Sequence, residues 1–384
     1  MRAGQGIIII ATTLLMIGVV MVNSAAMRVN SESTLTFLDL LLSRPVLLAC
    51  GACIAMIAGS MFPLTWFEKS VFGFPVVIWL GLISILLLIC VYVPGIGKEV
   101  NAANRWISIG GFSFQPSEVA KWVVVLVAAW WTANNNRFLL HYWRGFIPPI
   151  VCIGVLCAFI AIEDLGTAVL VFLVACMILF AAGAKFLHFV SLFPVAVAGF
   201  AIAVFSNPYR IGRLQAYLSP YDDPQSTGFH ILQSMQAISA GGLSGLGLGN
   251  GIHKFGYLPE DTTDFIFAII CEELGVFGAS AVGILYIGIM ILGLYVIKNA
   301  QSQFQKLLTL GILLTIGLQA GMNVLVVTAL IPTKGIALPL LSNGGTGWLL
   351  TAFGIGLINA IDRSNAPSHH QSFQLSHNNL QTNA

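Results

Sequence analysis

Residues 257–275 read YLPEDTTDFIFAIICEELG, and this stretch changes from an acidic, proline-containing turn into an apolar run. It holds five carboxylates, in a chain that is 57% hydrophobic and only 8% charged. Pro259 suits the first turn of a helix, so we predict a helix that begins there and continues through the apolar run Phe265–Cys271. Asp264 would then lie where a water-filled opening meets the bilayer. An ionisable side chain at that boundary is costly, which makes Asp264 the candidate functional residue.

The other acidic residues of this stretch have a second explanation. The positive end of a helix dipole stabilises carboxylates in the first turn, so Glu260 and Asp261 are equally consistent with a structural role. The same dipole would lower the pKa of Asp264, whereas burial and the two neighbouring carboxylates would raise it. The sequence leaves open which effect prevails.

The composition of the whole chain is that of a helical membrane protein. The mean hydropathy is +0.90, and apolar runs of about 18 residues or more recur along the sequence, which excludes a soluble domain. We predict an all-α, polytopic protein with about ten membrane-spanning helices. Their approximate bounds are 7–22, 46–62, 76–93, 119–133, 146–162, 165–182, 187–205, 276–297, 307–328 and 347–361.

The order of these helices predicts the arrangement of termini and loops. An even number of spans places both termini on one side, and the lysines and arginines of the short loops favour the cytoplasm for that side. A large extracytoplasmic loop, residues 206–264, then separates helices 7 and 8. We predict a membrane domain over residues 1–363. The polar, aperiodic residues 364–384 predict a disordered cytoplasmic tail.

The large loop contains two amphipathic segments and a glycine-rich one. The segments YRIGRLQAYLSP and HILQSMQAISAGG place apolar residues at helical spacing, which predicts helices on the membrane surface. The stretch Gly241–Gly251, here named the glycine-rich turn, lacks the Gly-Lys-Ser/Thr ending of a phosphate-binding loop. It is interpreted as a tight re-entry of the chain, and contact between its backbone amides and a phosphate is the weaker alternative.

Cations on the predicted outer face are candidates for binding an anionic substrate. Arg105 stands beside Trp106 in a loop rich in glycine and proline, and Lys334 is the only charged residue of the loop 330–347. The candidate cations are Arg105, Lys121, Arg210, Arg213 and Lys334. Each is equally consistent with anchoring the chain to lipid headgroups.

Metal, redox and nucleic-acid functions find little support in the sequence. The seven cysteines fall in predicted apolar membrane segments, and the pair Cys50-x-x-Cys53 has neither a second pair nor histidines at zinc spacing, so we predict no metal-ligating residues. The formal charge of +2 is too small to favour nucleic acid. The outer carboxylates leave open a divalent cation, Mg²⁺ or Mn²⁺, that would help hold a leaving group.

Several motifs, in their order along the chain, resemble the SEDS family of shape, elongation, division and sporulation proteins, which includes FtsW, RodA and SpoVE. The resemblance covers nearly the whole chain up to about Arg363. The motifs are Asn104-Arg105-Trp106-Ile107, Gln115-Pro116-Ser117-Glu118-x-x-Lys121, Asp164-Leu165-Gly166-Thr167-Ala168, Tyr209-Arg210-x-x-Arg213, Tyr257-Leu258-Pro259-Glu260, Thr263-Asp264-Phe265-Ile266-Phe267, Glu272-Glu273-Leu274-Gly275, and Asn323 through Pro332 to Ser342-x-Gly344-Gly345-Thr346. Thr262 and Asn343 depart from the histidine and tyrosine that are usual in the family. Pro332-Thr333-Lys334-Gly335 is similar to the loop of the division-type members.

The resemblance implies a peptidoglycan glycosyltransferase that polymerises lipid II, in which Asp264 matches the essential aspartate of the family. With the five cations, it points to Trp106, Glu260 and Ser342 as substrate-binding residues. It also implies a class B penicillin-binding protein and other division proteins as partners. The location would be the bacterial inner membrane, at the division septum.

The chemistry of the residues agrees with this implication. A glycosidase needs a general acid because an alkoxide leaves poorly, whereas a lipid pyrophosphate leaves without protonation, so one general base suffices. Three alternatives stay open: a lipid II flippase, a RodA-type elongation polymerase, and a division scaffold without activity. The charges crowd onto one face and no inverted repeat is obvious, which favours the polymerase over the flippase.

Overall fold

The computed structural model describes residues 2–26, 42–100, 103–109, 112–225, 228–255 and 258–365. Within these residues the chain forms twelve α-helices, numbered here in chain order. Their bounds are α1 Ala3–Ala25, α2 Arg44–Met61, α3 Val76–Cys90, α4 Pro116–Asn134, α5 Ile147–Glu163, α6 Leu165–Ala181, α7 Phe186–Phe205, α8 Pro208–Leu218, α9 Phe229–Gly241, α10 Ile266–Asn299, α11 Gln303–Val327 and α12 Thr346–Ser364. Most of the predicted tail, from residue 366 onward, lies outside the described residues.

The helices confirm the predicted all-α membrane architecture. Each of the ten predicted spans coincides with one helix, α1 to α7 and α10 to α12, while α8 and α9 coincide with the two predicted surface helices. Six of the described helical segments are long and apolar enough to cross a bilayer by themselves: α1, α2, α7, α10, α11, and α5 together with the helical turn Tyr142–Phe146 that precedes it. Helices α3 and α6 are apolar but shorter.

Short strands occupy two of the connections. Strand β1, Ser70–Val71, pairs with β2, Phe74–Pro75, between α2 and α3. Before α4, the strands β3 Gly97–Val100, β4 Ala103–Ile109 and β5 Phe112–Phe114 form an antiparallel sheet in that order. This sheet gives the predicted glycine- and proline-rich loop a fixed shape, and it carries Arg105 and Trp106 on β4.

The start of the first helix and the end of the last helix lie on the same side of the domain. The backbone N–H of Gly4, at the start of α1, donates to Asp362 Oδ2, near the end of α12, at 3.0 Å. At the other end of α1, Ser24 donates to the carboxylate of Glu273 at 2.9 Å. The chain therefore has a side with the termini and an opposite side with the long loop, as an even number of spans requires.

The predicted start of the helix at Pro259 is wrong, because residues 258–265 form turns and α10 begins at Ile266. The backbone N–H groups of Thr263, Asp264 and Phe265 all point at one acceptor, the carbonyl oxygen of Glu260, at 3.2, 3.1 and 3.2 Å. Glu260 itself has φ +57°, a left-handed conformation that does not continue a helix. Asp264 therefore lies in a turn ahead of the helix.

Helix α10 is broken at Gly275, which has φ +65° and ψ −164°. The break frees backbone groups, and the glycine-rich turn pairs with them: Leu246 N donates to Glu272 O and Gly247 N donates to Glu273 O, both at 2.9 Å. A Cβ on Gly275 would lie 2.4 Å from the backbone nitrogen of Gly245 in the glycine-rich turn, so a glycine is required here. The turn is thus a re-entry that completes the hydrogen bonding of a broken helix, and these two amides are not free for a phosphate.

A buried ion pair fastens the first half of α10 to α1. Lys254 Nζ lies 2.7 Å from Glu273 Oε1, and neither side chain has exposed surface. Lys254 also donates to Gly249 O at 2.7 Å, and Ser24 shares the carboxylate of Glu273. A buried pair with all its groups bonded holds its neighbours in one geometry. This network fixes the short helix 266–274 that follows Asp264.

Candidate active site

A cavity of about 190 Å³ lies on the side of the domain opposite the termini. It is formed by β4, the start of α4, the α5–α6 junction, the turn before α10, α11, and the loop between α11 and α12. Five of the predicted site residues line it, namely Arg105, Trp106, Lys121, Glu260 and Asp264. Four others lie outside its lining, namely Arg210, Arg213, Lys334 and Ser342.

Asp264 presents an unpaired carboxylate to this cavity. No group in the described part of the chain donates a hydrogen bond to either carboxylate oxygen. The backbone of Asp264 is held instead, since Asn323 Nδ2 donates to its carbonyl oxygen at 2.7 Å. The loop beyond α11 closes one side, because a Cβ on Gly335 would lie 2.8 Å from Asp264 Oδ2. The position of the carboxylate is therefore fixed by the Asp264 backbone and by the neighbouring loop, and its two oxygens face the cavity.

The surroundings of Asp264 make it a base suited to neutral pH. Burial, together with the charges of Glu260 and Asp164, raises the pKa of Asp264 from 3.8 to about 7, against the opposing effect of Arg213 and Arg105. Of the opposing effects that the sequence leaves open, burial and like charge prevail. A general base works best when its pKa is near the operating pH.

The acidic neighbours of Asp264 differ in what they face. Glu260 lines the cavity and accepts a hydrogen bond from Thr263 Oγ1 at 2.9 Å. Asp261 does not line it; burial and Glu260 raise its pKa to about 6, opposed by backbone N–H groups including that of Thr262. Of the acidic residues at this turn, Asp264 and Glu260 are therefore the two that reach the cavity.

Two of the predicted cations hold the end of a helix. Arg105 donates from Nε and Nη2 to the carbonyl oxygen of Glu163 at 3.0 and 2.7 Å. Arg210 Nη2 donates to the carbonyl oxygens of Ala161 and Ile162, both at 2.8 Å. These last carbonyls of α5 lack partners within the helix, and a cation is the favourable partner at a helix C-terminus. Arg105 combines this role with a place in the cavity wall.

Lys121 is the most buried of the predicted cations, with 1% of its surface exposed. Its Nζ lies 2.8 Å from Glu118 Oε2 and 2.9 Å from Gln319 Oε1. The neighbouring carboxylate balances its charge, so Lys121 offers a substrate an oriented donor more than a net positive charge.

Arg213 and Lys334 lie beside the cavity. Arg213 Nη1 donates to the carbonyl oxygen of Thr333 at 3.3 Å, and its guanidinium stacks on the ring of Tyr209 and bonds to its hydroxyl. Lys334 Nζ lies 5.9 Å from the centre of the Phe200 ring and makes no hydrogen bond to any residue that the structure describes. Burial lowers the pKa of Lys334, with Arg210 and Arg213 adding to the effect and Asp164 opposing it.

Ser342 does not reach the cavity, which departs from its expected place at the substrate. Its side chain is fully buried. Its Oγ accepts a hydrogen bond from the backbone N–H of Leu338 at 2.6 Å. Ser342 therefore holds the turn that precedes α12, and its position indicates a structural role.

The cavity also contains residues that the sequence did not single out as site residues. Asp164 caps α6 by accepting from the N–H and the hydroxyl of Thr167, at 3.0 and 2.8 Å. Gln319 bridges Lys121 and the carbonyl oxygen of Ala337. A signal for Gln319 was present, because a polar amide in an apolar membrane helix is itself a functional candidate. The other additional lining residues include Gln115, Glu118, Thr263 and Asn343.

The carboxylates of the site do not form a metal cage. Over the described ranges of the chain, no three His, Cys, Asp or Glu side chains lie close enough to hold a metal ion. Ca²⁺ sites use six to eight oxygens, and Mg²⁺ is bound by one or two carboxylates together with water and substrate phosphates. The carboxylates of Asp264 and Asp164 therefore do not fit a cation held by protein groups alone.

The fold matches solved membrane proteins over nearly its whole length. A chain from a peptidoglycan synthase complex that coordinates polymerization and crosslinking aligns with a TM-score of 0.72 at 22% identity, covering 95% of this chain and 98% of that one. The rod shape determining protein RodA of Thermus thermophilus aligns with a TM-score of 0.62 at 22% identity, covering 94% and 97%.

Sequence comparison gives closer relatives. The probable peptidoglycan glycosyltransferase FtsW of Marinobacter nauticus is 37% identical over 361 residues, which cover 93% of this chain and 88% of that protein. The stage V sporulation protein E of Bacillus subtilis is 38% identical over 287 residues, which cover 74% and 78%. The profile of the family that is described as "Cell cycle protein" and comprises FtsW, RodA and SpoVE matches residues 5–366. The chain belongs to the FtsW/RodA/SpoVE family, and it is a multi-pass membrane protein.

Proposed function

We propose that the protein is a peptidoglycan glycosyltransferase that polymerises lipid II, with Asp264 as its general base. The observation that carries the proposal is the carboxylate of Asp264, which faces the cavity without a hydrogen-bond donor in the described chain and has a pKa raised to about 7. The relatives named peptidoglycan glycosyltransferase FtsW support the substrate class and a role in division.

The proposed reaction is an inverting glycosyl transfer. The 4-hydroxyl of the acceptor sugar attacks the anomeric carbon of the donor sugar, and Asp264 takes the hydroxyl proton. A β-1,4 glycosidic bond forms while the bond from the anomeric carbon to the pyrophosphate oxygen breaks. Undecaprenyl pyrophosphate leaves with the electron pair, so no second carboxylate is needed as an acid.

Cations beside the cavity would balance the negative charge of the departing pyrophosphate. Lys334 is the best candidate, since its ammonium group makes no hydrogen bond within the described chain. Arg105 lines the cavity, and Arg213 is near enough to lower the pKa of Asp264. The pyrophosphate itself could bring a divalent cation to the site, and no step here depends on one.

The proposed surroundings follow from the family and the topology. We place both termini in the cytoplasm and the cavity on the outer side of the inner membrane, at the division septum. The proposed partner is a class B penicillin-binding protein, and the structural similarity to a chain of a peptidoglycan synthase complex supports such a partner.

The test is polymerisation of lipid II by the purified protein, together with a partner penicillin-binding protein. The wild-type protein should form glycan strands, and Asp264→Ala should form none while retaining its fold and its affinity for lipid II. Strands from the Asp264→Ala protein would refute the role of Asp264. No strands from a folded wild-type complex, with transfer of lipid II across vesicles, would favour a flippase instead.

A further inference from the structure

Two buried amides stand one turn apart on α11. Gln319 and Asn323 are 9% and 1% exposed, in a helix apolar enough to cross a membrane. A buried amide in such a helix is costly unless its donors and acceptors are bonded. Spaced four residues apart, the two side chains lie on the same face of α11.

Asn323 joins two segments that are distant in sequence. Its Nδ2 donates to the carbonyl oxygen of Asp264 and to that of Ile336, both at 2.7 Å. Two carbonyl oxygens at this distance require a donor, which fixes the orientation of the amide, and both of its hydrogens are then in use. The turn that carries Asp264 and the loop beyond α11 therefore meet at a single side chain.

Gln319 fastens the same loop at the next residue. Its Nε2 donates to the carbonyl oxygen of Ala337 at 2.8 Å, and its Oε1 accepts from Lys121 Nζ at 2.9 Å. The two amides thus hold two consecutive carbonyl groups of the loop, those of Ile336 and Ala337.

The position of this loop decides where the carboxylate of Asp264 can lie. A Cβ on Gly335, the residue before Ile336, would be 2.8 Å from Asp264 Oδ2, so the backbone at Gly335 is a wall against the carboxylate. Asn323 holds this wall in place by donating to the carbonyl oxygen of Ile336, and it holds the base in place by donating to the backbone carbonyl oxygen of Asp264. We infer that Asn323 is the positioning residue for Asp264, holding the base and its wall in one geometry with the help of Gln319. This inference rests on the proposed function, in which Asp264 is the base.

The test compares Asn323→Ala with Thr315→Val in the full-length protein. Thr315 is a matched control, because it is equally buried on α11 and donates only within its own helix, to Gly311 O at 2.8 Å. The first readout needs no activity: a carbodiimide labels protonated carboxyl groups, and mass spectrometry follows labelling of Asp264 against pH. In the wild type, labelling should fall as the pH rises through about 7.

In Asn323→Ala the midpoint of labelling should move down by about half a pH unit or more, because the loosened wall admits water to the carboxylate. In polymerisation, kcat should fall about 10- to 100-fold with KM nearly unchanged, since a misplaced base affects the reacting geometry more than binding. Thr315→Val should match the wild type in both readouts.

Labelling and kcat in Asn323→Ala equal to those of Thr315→Val would overturn the inference. If Asn323→Ala does not fold, Asn323→Ser, which keeps one donor, serves for the same readouts. Failure of both Asn323 variants to fold would also overturn the inference, since Asn323 would then be required for the stability of the fold. A wild-type protein that forms no strands would refute the proposed function, while the labelling would still decide the role of Asn323.

Discussion

Replacing Asp264 by asparagine should make the protein more stable, by an amount that grows with pH. The pKa of Asp264 rises from 3.8 to about 7 in the folded protein. A carboxyl group whose folded pKa is raised contributes its full stability below the unfolded pKa, and that stability is lost as the pH rises toward the folded pKa. Each pKa unit corresponds to about 1.4 kcal/mol, so the cost of the ionised form approaches ~4 kcal/mol above pH 7. Asparagine cannot ionise and therefore does not incur this cost.

The difference in stability between Asp264→Asn and the wild type should increase by about 2 kcal/mol from pH 5 to pH 7 and then level off. For a chain of this size that increase corresponds to roughly 2–4 °C in the melting temperature. Intrinsic fluorescence during thermal unfolding in detergent, at half-unit steps from pH 5 to pH 9, measures it. Asp222→Asn, a change at an exposed carboxylate of the same long loop that does not line the cavity, is the control for replacing a carboxylate by an amide. A pH-independent difference for Asp264→Asn, or a variant less stable than the wild type at pH 8, would contradict a raised pKa of Asp264 in the folded protein.

Three further predictions concern the base, its wall and the buried ion pair. The kcat/KM of polymerisation should fall about tenfold per pH unit below about 7, because Asp264 acts only when unprotonated; a profile flat down to pH 5.5 would contradict this. Gly335→Ala should lower kcat about 10- to 100-fold, because its Cβ displaces the carboxylate; unchanged kcat in a protein of normal melting temperature would contradict it. Lys254→Met should destabilise the fold by about 3–5 kcal/mol because it leaves Glu273 unpaired, and adding Glu273→Leu should restore part of that stability. Equal melting temperatures for the single and the double variant would show that the two residues are not energetically coupled.

The membrane architecture could be predicted from the sequence because its signal is local. A run of apolar residues long enough to cross a bilayer must form a helix there, whatever surrounds it. The ten spans and the two surface helices were therefore predicted to within a few residues for most elements. The start of α10 was not, since it depends on the left-handed conformation of Glu260, which three backbone N–H groups of the following turn stabilise.

The sequence identified most of the charged residues of the candidate site, but it predicted only part of the contacts that they make. Asp264 was identified because a carboxylate beside an apolar run stands out in this composition. The partners of the cations could not be read from the sequence, because they are backbone carbonyls brought near by folding, as with Arg105 at the end of α5. Ser342 has the residue type of a substrate contact, but it bonds to a backbone N–H four residues earlier. Spacing alone cannot distinguish these two uses of a hydroxyl.

We propose that the unpaired carboxylate of Asp264 is the base of a lipid II polymerase. The most direct measurement is glycan strand formation from lipid II at pH 8 by the wild type, Asp264→Asn and Asp261→Asn, each with the partner penicillin-binding protein. Asp261 is a matched control, since it is an acidic neighbour with a pKa raised to about 6 that does not line the cavity. We expect strands from the wild type and from Asp261→Asn and none from Asp264→Asn, although that variant should be at least as stable as the wild type. Strands from Asp264→Asn at a rate near that of the wild type would contradict it.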